Sequence, residues 1–149
     1  MESKVLPNDV MLEMVGTFLA EGKSVRMTPK GCSMLPFIRG NRDNVILAKP
    51  SRALETGDIV LAKVRENYVM HRIWALDGDR IILMGDGNLK RRERCASKDV
   101  IGIVTEIVKP DGRRVRPGKG RFWRAMLPFR RWILAILRRT VYRKDTQHP

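Results

Sequence analysis

Three short segments of this chain carry residues able to do chemistry together. Ser33 lies in Gly31-Cys32-Ser33-Met34-Leu35-Pro36, His71 in Val69-Met70-His71-Arg72-Ile73, and Asp86 in Gly85-Asp86-Gly87-Asn88. A serine hydroxyl, an imidazole and a carboxylate are the parts of a hydrolytic triad. The serine attacks, the histidine takes its proton, and the aspartate orients the histidine. Only His148, next to the chain end, offers a second imidazole, so a working histidine here is His71. Taken singly, each residue has an ordinary explanation. Serines beside Gly and Pro are turn residues, a histidine in an apolar strand is a satisfied core residue, and Asp-Gly is a common hairpin turn. Cys32 stands one position from the serine, where neighbours on a turn point in different directions, and is read as a packing residue.

The setting of each residue is compatible with the chemical reading, but each signal is weak by itself. Gly31 permits a backbone turn that a side chain would block, and Pro36 ends it. Alternation along a strand over Tyr68–Leu76 places Val69, His71 and Ile73 on one face and Met70, Arg72 and Trp74 on the other. Asp86 follows the apolar run Ile81–Met84 directly, where a turn can hold its carboxylate toward a neighbouring strand.

The order Ser33-Met34-Leu35-Pro36, Gly57-Asp58-Ile59-Val60, His71-Arg72-Ile73, Gly85-Asp86-Gly87-Asn88 and Ile101-Gly102-Ile103-Val104 resembles the signal peptidase I and LexA-like serine peptidase clan. The resemblance spans residues 23–108. His-Arg-Ile at the base position resembles the histidine-base type of archaeal and endoplasmic-reticulum signal peptidases. It implies Ser33 as nucleophile, His71 as general base, Asp86 as the orienting acid, and the Ser33 N–H in an oxyanion hole. It also implies a polypeptide substrate with small residues beside the scissile bond, and no cofactor or metal. Members of the signal-peptidase branch carry an N-terminal transmembrane anchor. The LexA-like branch carries a DNA-binding domain and a self-cleaved Ala-Gly bond. This chain shows neither, so the expected activity is removal of a leader from some other precursor. A catalytically inactive relative that binds peptides or a membrane surface is the alternative.

At 149 residues with 43% hydrophobic and 31% charged side chains, the chain can bury a real core. Asn8 or Asp9 can cap a helix running to Ala20, with Val10, Met11, Met14, Val15, Phe18 and Leu19 on one face and Gly22 as its stop. Short strands follow over Ser24–Thr28, Asn44–Ala48, Asp58–Val64, Tyr68–Leu76, Arg80–Met84 and Val100–Val108, separated by Gly- and Asp-rich turns. The fold class is therefore mainly β. It divides into an N-terminal helix in residues 1–22, a peptidase-like β domain in 23–116 and a basic amphipathic appendage in 117–149. Met34 and the Asn44–Ala48 strand are the expected walls of a substrate pocket. Two cysteines and two histidines, widely scattered, exclude a disulfide scaffold and a zinc site.

The net charge of +14 is concentrated in one place. From Lys109 to Lys144 there are thirteen Lys and Arg against Asp111 alone, so that stretch carries +12 and the rest of the chain +2. After a Pro117-Gly118-Lys119-Gly120 linker, Arg121–Arg143 has a helical pattern, kinked at Pro128. Phe122, Met126, Phe129, Ile133, Ile136 and Leu137 fall on one side, and Arg121, Arg124, Arg131, Arg138 and Arg139 on the other. Arg130 interrupts the apolar side. Such a helix, carrying Trp123 and Trp132, suits the surface of an anionic membrane. Packing on the β body with a solvated basic face is the plainer reading. Nucleic acid ranks third, because stacking aromatics do not recur in the neutral body. No stretch approaches the roughly 18 apolar residues of a spanning helix, and residues 1–9 show no charged-then-apolar leader. The expected location is cytoplasmic or peripheral to a membrane.

Overall fold

Alternating apolar residues between tight turns build an antiparallel sheet, and the computed structural model shows how it curls. It describes residues 8–31, 33–88 and 91–140. Cys32, His148 and the 141–143 end of the expected helix lie outside them, as do the side chains of Asn8 and Asp9. The protein is mainly β, 36% strand against 25% helix. Helix α1 (Asn8–Ala20) is followed by β1 (Val25–Met27), β2 (Asn44–Ala48), β3 (Ile59–Val64), β4 (Asn67–Asp77), β5 (Arg80–Met84), β6 (Glu93–Ala96), β7 (Val100–Val108) and β8 (Arg114–Val115). The strands run in the order β1-β2-β7-β3-β4-β5-β6, with β8 on β7, and every pairing is antiparallel. Register shifts at Ile46/Leu47, Leu61/Ala62 and Ile73/Ala75 bend the sheet, as bulges do.

Central strand β3 is buried on both faces, which explains its unbroken apolar run Ile59-Val60-Leu61-Ala62. Ile59 and Leu61 join Val45, Leu47, Val104 and Ile107 under α1, whose Val15 and Leu19 are buried against them. Val60 and Ala62 face Ile73, Ile81 and Leu83 on the other side. The inward face of α1 is thus narrower than the periodicity suggests. Val10, Met14 and Phe18, expected on the same face, are exposed. Strands β6 and β8 were not foreseen: Glu93-Arg94-Cys95-Ala96 and Arg114-Val115 have little apolar pattern of their own and pair because β5 and β7 offer open edges.

The long connection between β1 and β2 is pinned from two sides. Buried Asp43 accepts a hydrogen bond from the Arg39 N–H and from Lys109 Nζ at 2.8 Å, while Lys109 also donates to the Phe37 carbonyl. Met34 and Ile38 of this connection sit in the main core.

Beyond β8 the basic segment folds as α2 (Arg121–Ala125), a 3-10 turn at Leu127–Phe129 containing Pro128, and α3 (Arg130–Thr140). It packs on the body, with Trp123 and Leu134 buried against Leu35. Arg130, an interruption in the helical pattern, is buried at 1% exposure. Its Nε donates to the Trp123 carbonyl, and its guanidinium stacks near Trp74 and Trp123. Burial pulls its pKa down, with Asp86 working in the opposite sense. The expected apolar side is consequently split, and two residues not assigned to it, Trp123 and Leu134, make the main contact with the body. Trp123, Leu134 and Ile133 face the body, whereas Phe122, Phe129 and Ile136 face outward with Trp132. The linker is strapped down as well: Gly118 accepts a hydrogen bond from Arg72, and Lys119 pairs with Asp58 and Glu55.

Asp58 collects Arg52, Lys119 and the Glu55 N–H around one buried carboxylate. Burial alone would raise its pKa, but the hydrogen bonds from Arg52 and Lys119 prevail and hold it down at about 2. A depressed carboxyl contributes stability above its unfolded value, near pH 4, and loses it as pH falls through the folded one. Urea denaturation between pH 5 and pH 2 is expected to show a falling midpoint. Asp58→Asn is expected to be less stable at pH 5 and to flatten that fall.

Candidate active site

The turn after β1 brings Ser33 to the end of β5. Gly31 adopts a φ of 86°, as the turn reading requires, and the Gly87 N–H donates to the Ser33 carbonyl at 2.8 Å. Gly85 is the point of contact. A methyl group added there would collide with the Ser33 carbonyl oxygen and lie 3.2 Å from His71 Cδ2. The absent side chain is what allows the serine turn, the histidine ring and the Gly-Asp-Gly-Asn turn to converge.

Ser33 and His71 wall the same cleft, about 310 Å³ in volume. Its other walls come from Met11 and Leu12 of α1, the segment Met27–Gly31, Met34, Leu61, and Tyr68, Val69 and Met70 beside the histidine. Met34 was an expected wall; strand β2 is not among the lining, because β1 and the Met27–Gly31 segment occupy that side. Four methionines around one cleft give a pliable apolar surface. Among the described residues no hydrogen bond joins Ser33 Oγ to the imidazole, a looseness frequent in unliganded sites.

The carboxylates are arranged differently from the sequence expectation. Asp86, expected on His71, is bound to Arg72. Arg72 Nε and Nη2 each donate to it at 2.8 Å, and both side chains are 1% exposed. Burial pushes the Asp86 carboxyl upward, against the opposing pull of the Arg72 guanidinium. Arg72 Nη1 donates to the Gly57 and Gly118 carbonyls, and its guanidinium lies over the Phe37 ring. The Asp86 backbone is engaged too, its carbonyl accepting Trp123 Nε1–H at 2.8 Å.

The carboxylate on His71 is that of Glu93. Its Oε2 stands 2.9 Å from His71 Nδ1, with the two side chains 9% and 8% exposed. The register explains the meeting: His71 opposes Val60 on β3, while Glu93 opposes Leu83 on β5, next to β4. Glu93 stands in a charged segment, Lys90-Arg91-Arg92-Glu93-Arg94, with no apolar alternation to mark a strand. An acid alone among four bases, seven residues past Asp86, was the available signal. Arg92, given no role from sequence, stacks over Trp74. Cys95 is half-buried, and burial raises its thiol to about 11, which makes it a poor nucleophile.

The set can therefore supply a serine hydroxyl and an imidazole whose Nδ1 is held by a shielded carboxylate, beside an apolar cleft. Among the described residues no cluster of His, Cys, Asp or Glu is placed to hold a metal ion. No protein-family model matches the chain, and no curated protein matches it significantly.

The two carboxylates should separate cleanly by mutation. Asp86→Asn leaves a buried guanidinium without its counter-charge and is expected to cost about 3–5 kcal/mol of folding stability. Glu93→Gln, which leaves an amide carbonyl to accept the Nδ1–H, is expected to cost far less. Urea denaturation of both variants, followed by circular dichroism, measures the difference.

Proposed function

We propose that the protein is a serine endopeptidase of the signal peptidase I and LexA-like kind, acting on a leader or similar extended segment of a precursor polypeptide. The observation that carries this reading is the shielded Glu93–His71 pair on the wall of the cleft that Ser33 also lines. A carboxylate on Nδ1 fixes the tautomer that leaves Nε2 free to accept a proton, and it stabilises the imidazolium formed next.

In this mechanism Ser33 Oγ attacks the scissile carbonyl carbon as His71 Nε2 takes the hydroxyl proton. The resulting oxyanion is met by backbone donors, the Ser33 N–H among them. His71 then gives its proton to the departing amine as the C–N bond breaks, leaving an ester on Ser33. Water, deprotonated by the same histidine, attacks that ester; the C–O bond to Ser33 breaks, His71 returns the proton to Ser33 Oγ, and the acid product leaves. Glu93 holds Nδ1 throughout, and Asp86, bound to Arg72, takes no part in proton transfer. The methionine-walled cleft receives apolar side chains of the substrate on one side of the bond.

A binding-only relative is the competing reading, and the lack of a Ser33–His71 hydrogen bond is the feature that favours it. Active-site labelling with a fluorophosphonate decides between them. The expected result is one adduct, mapped to Ser33 by mass spectrometry, and lost in His71→Ala. Ser33→Ala should abolish cleavage of accumulated precursor with the fold intact. Glu93→Gln should lower turnover by about 10⁴-fold, the loss that follows removal of the third member of a serine triad. No adduct in the wild-type protein would overturn the peptidase reading.

A further inference from the structure

Helices α2 and α3 carry two apolar surfaces, and only one of them is used by the fold. Trp123 and Leu134 are buried on the body. On the outside, Phe122 is 78%, Phe129 59% and Trp132 64% exposed, more than any core packing accounts for. Phe129, the last residue of the 3-10 turn, and Trp132, in the first turn of α3, are three residues apart and both exposed. Arginines flank them: Arg121, Arg131, Arg138 and Arg139 are exposed and have no carboxylate partner among the described residues. Arg131 lies over the Trp132 ring. Between Gly112 and Thr140 the sequence contains no acid at all.

We propose that this outer face of α2 and α3 is a docking surface for an anionic lipid bilayer, with the helix axis lying in the interface. The charge argues for an anionic partner, and the aromatic row argues for one with an apolar layer beneath its charged surface. A bilayer has both: phosphate-bearing headgroups for the arginines, and the acyl boundary for Phe129 and Trp132. A nucleic acid would satisfy the arginines but leave the aromatic row in water unless bases were unstacked onto it. The proposed contact is peripheral; no helix among the described residues is long and apolar enough to cross a membrane.

The surface is rigidly tied to the serine turn. Leu134 and Trp123 pack on Leu35, two residues from Ser33, and Trp123 Nε1 holds the Asp86 carbonyl. A docked bilayer would thus fix the height and orientation of the cleft above the headgroups. The docking surface itself does not depend on the peptidase reading, and its test does not use cleavage.

The test is co-sedimentation of the full chain with vesicles of phosphatidylcholine alone and of phosphatidylcholine mixed with phosphatidylglycerol. Tryptophan quenching by brominated lipid is followed in parallel. Binding is expected only to the anionic vesicles, with quenching that Trp132→Phe removes. Phe129→Ser with Trp132→Ser, and separately Arg138→Glu with Arg139→Glu, should each weaken partition by about tenfold or more. These side chains are exposed, so both variants should keep the wild-type melting curve. Three results would overturn the proposal: no preference for anionic vesicles, binding untouched by loss of the aromatic pair, or equally tight binding to duplex DNA of matched charge. Self-association abolished by Trp132→Ser would do so too, by assigning the face to a second copy of the chain.

Discussion

The Arg72–Asp86 ion pair is the constraint on which the rest of this molecule rests. Two opposite charges at 1% exposure have given up their water, a loss that mutual attraction recovers only when every remaining donor is satisfied. Here the Nη1 donors are satisfied from distant parts of the chain. Gly57 lies at the start of β3, Gly118 in the linker to the terminal helices, and the Phe37 ring in the serine-bearing connection. Trp123 of α2 closes the arrangement through the Asp86 carbonyl. Sheet, serine turn, linker and terminal helices therefore share one charged node. None of them can shift without leaving part of that node unpaired.

Two carboxylates seven residues apart have different partners because their surroundings differ. Asp86 has a permanent cation as its partner and is locked in place on both oxygens, which suits structure. Glu93 has an imidazole, a partner able to gain or lose a proton, which is what the proposed peptidase mechanism asks of it. Neither role follows from the residue type. Each follows from which neighbour on β4 the side chain reaches: Arg72 on one face of the strand, His71 on the other.

The terminal helices owe their composition to a similar division. A helix that covers a core on one side and faces water on the other needs a single apolar stripe. Here there are two, with Arg130 buried between aromatic rings and further arginines outside. Burying Arg130 is tolerable because its guanidinium stacks near Trp74 and Trp123 and donates to a backbone carbonyl. The appendage is thus part of the folded body rather than a loose tail, and its strongest basic and aromatic features remain on the outside.

Much of the architecture was legible in local sequence, because helix and strand periods are local properties. The α1 boundaries and the strands β2, β5 and β7 emerge from apolar alternation and Gly- or Asp-marked turns. Strands β6 and β8 do not, since they form on edges that other strands create. At the site, the sequence by itself determined the residue types, Ser33 in its glycine turn and His71 in its strand, and the sheet brings both to one cleft. It could not determine which carboxylate meets the histidine. Asp86 sits in the more suggestive motif, but alternation on β4 turns Arg72 toward it and His71 away, and the β5–β6 register delivers Glu93 instead. Pairing of side chains across strands depends on register and sheet curl, which are set by contacts between distant segments, and only the tertiary structure contains those.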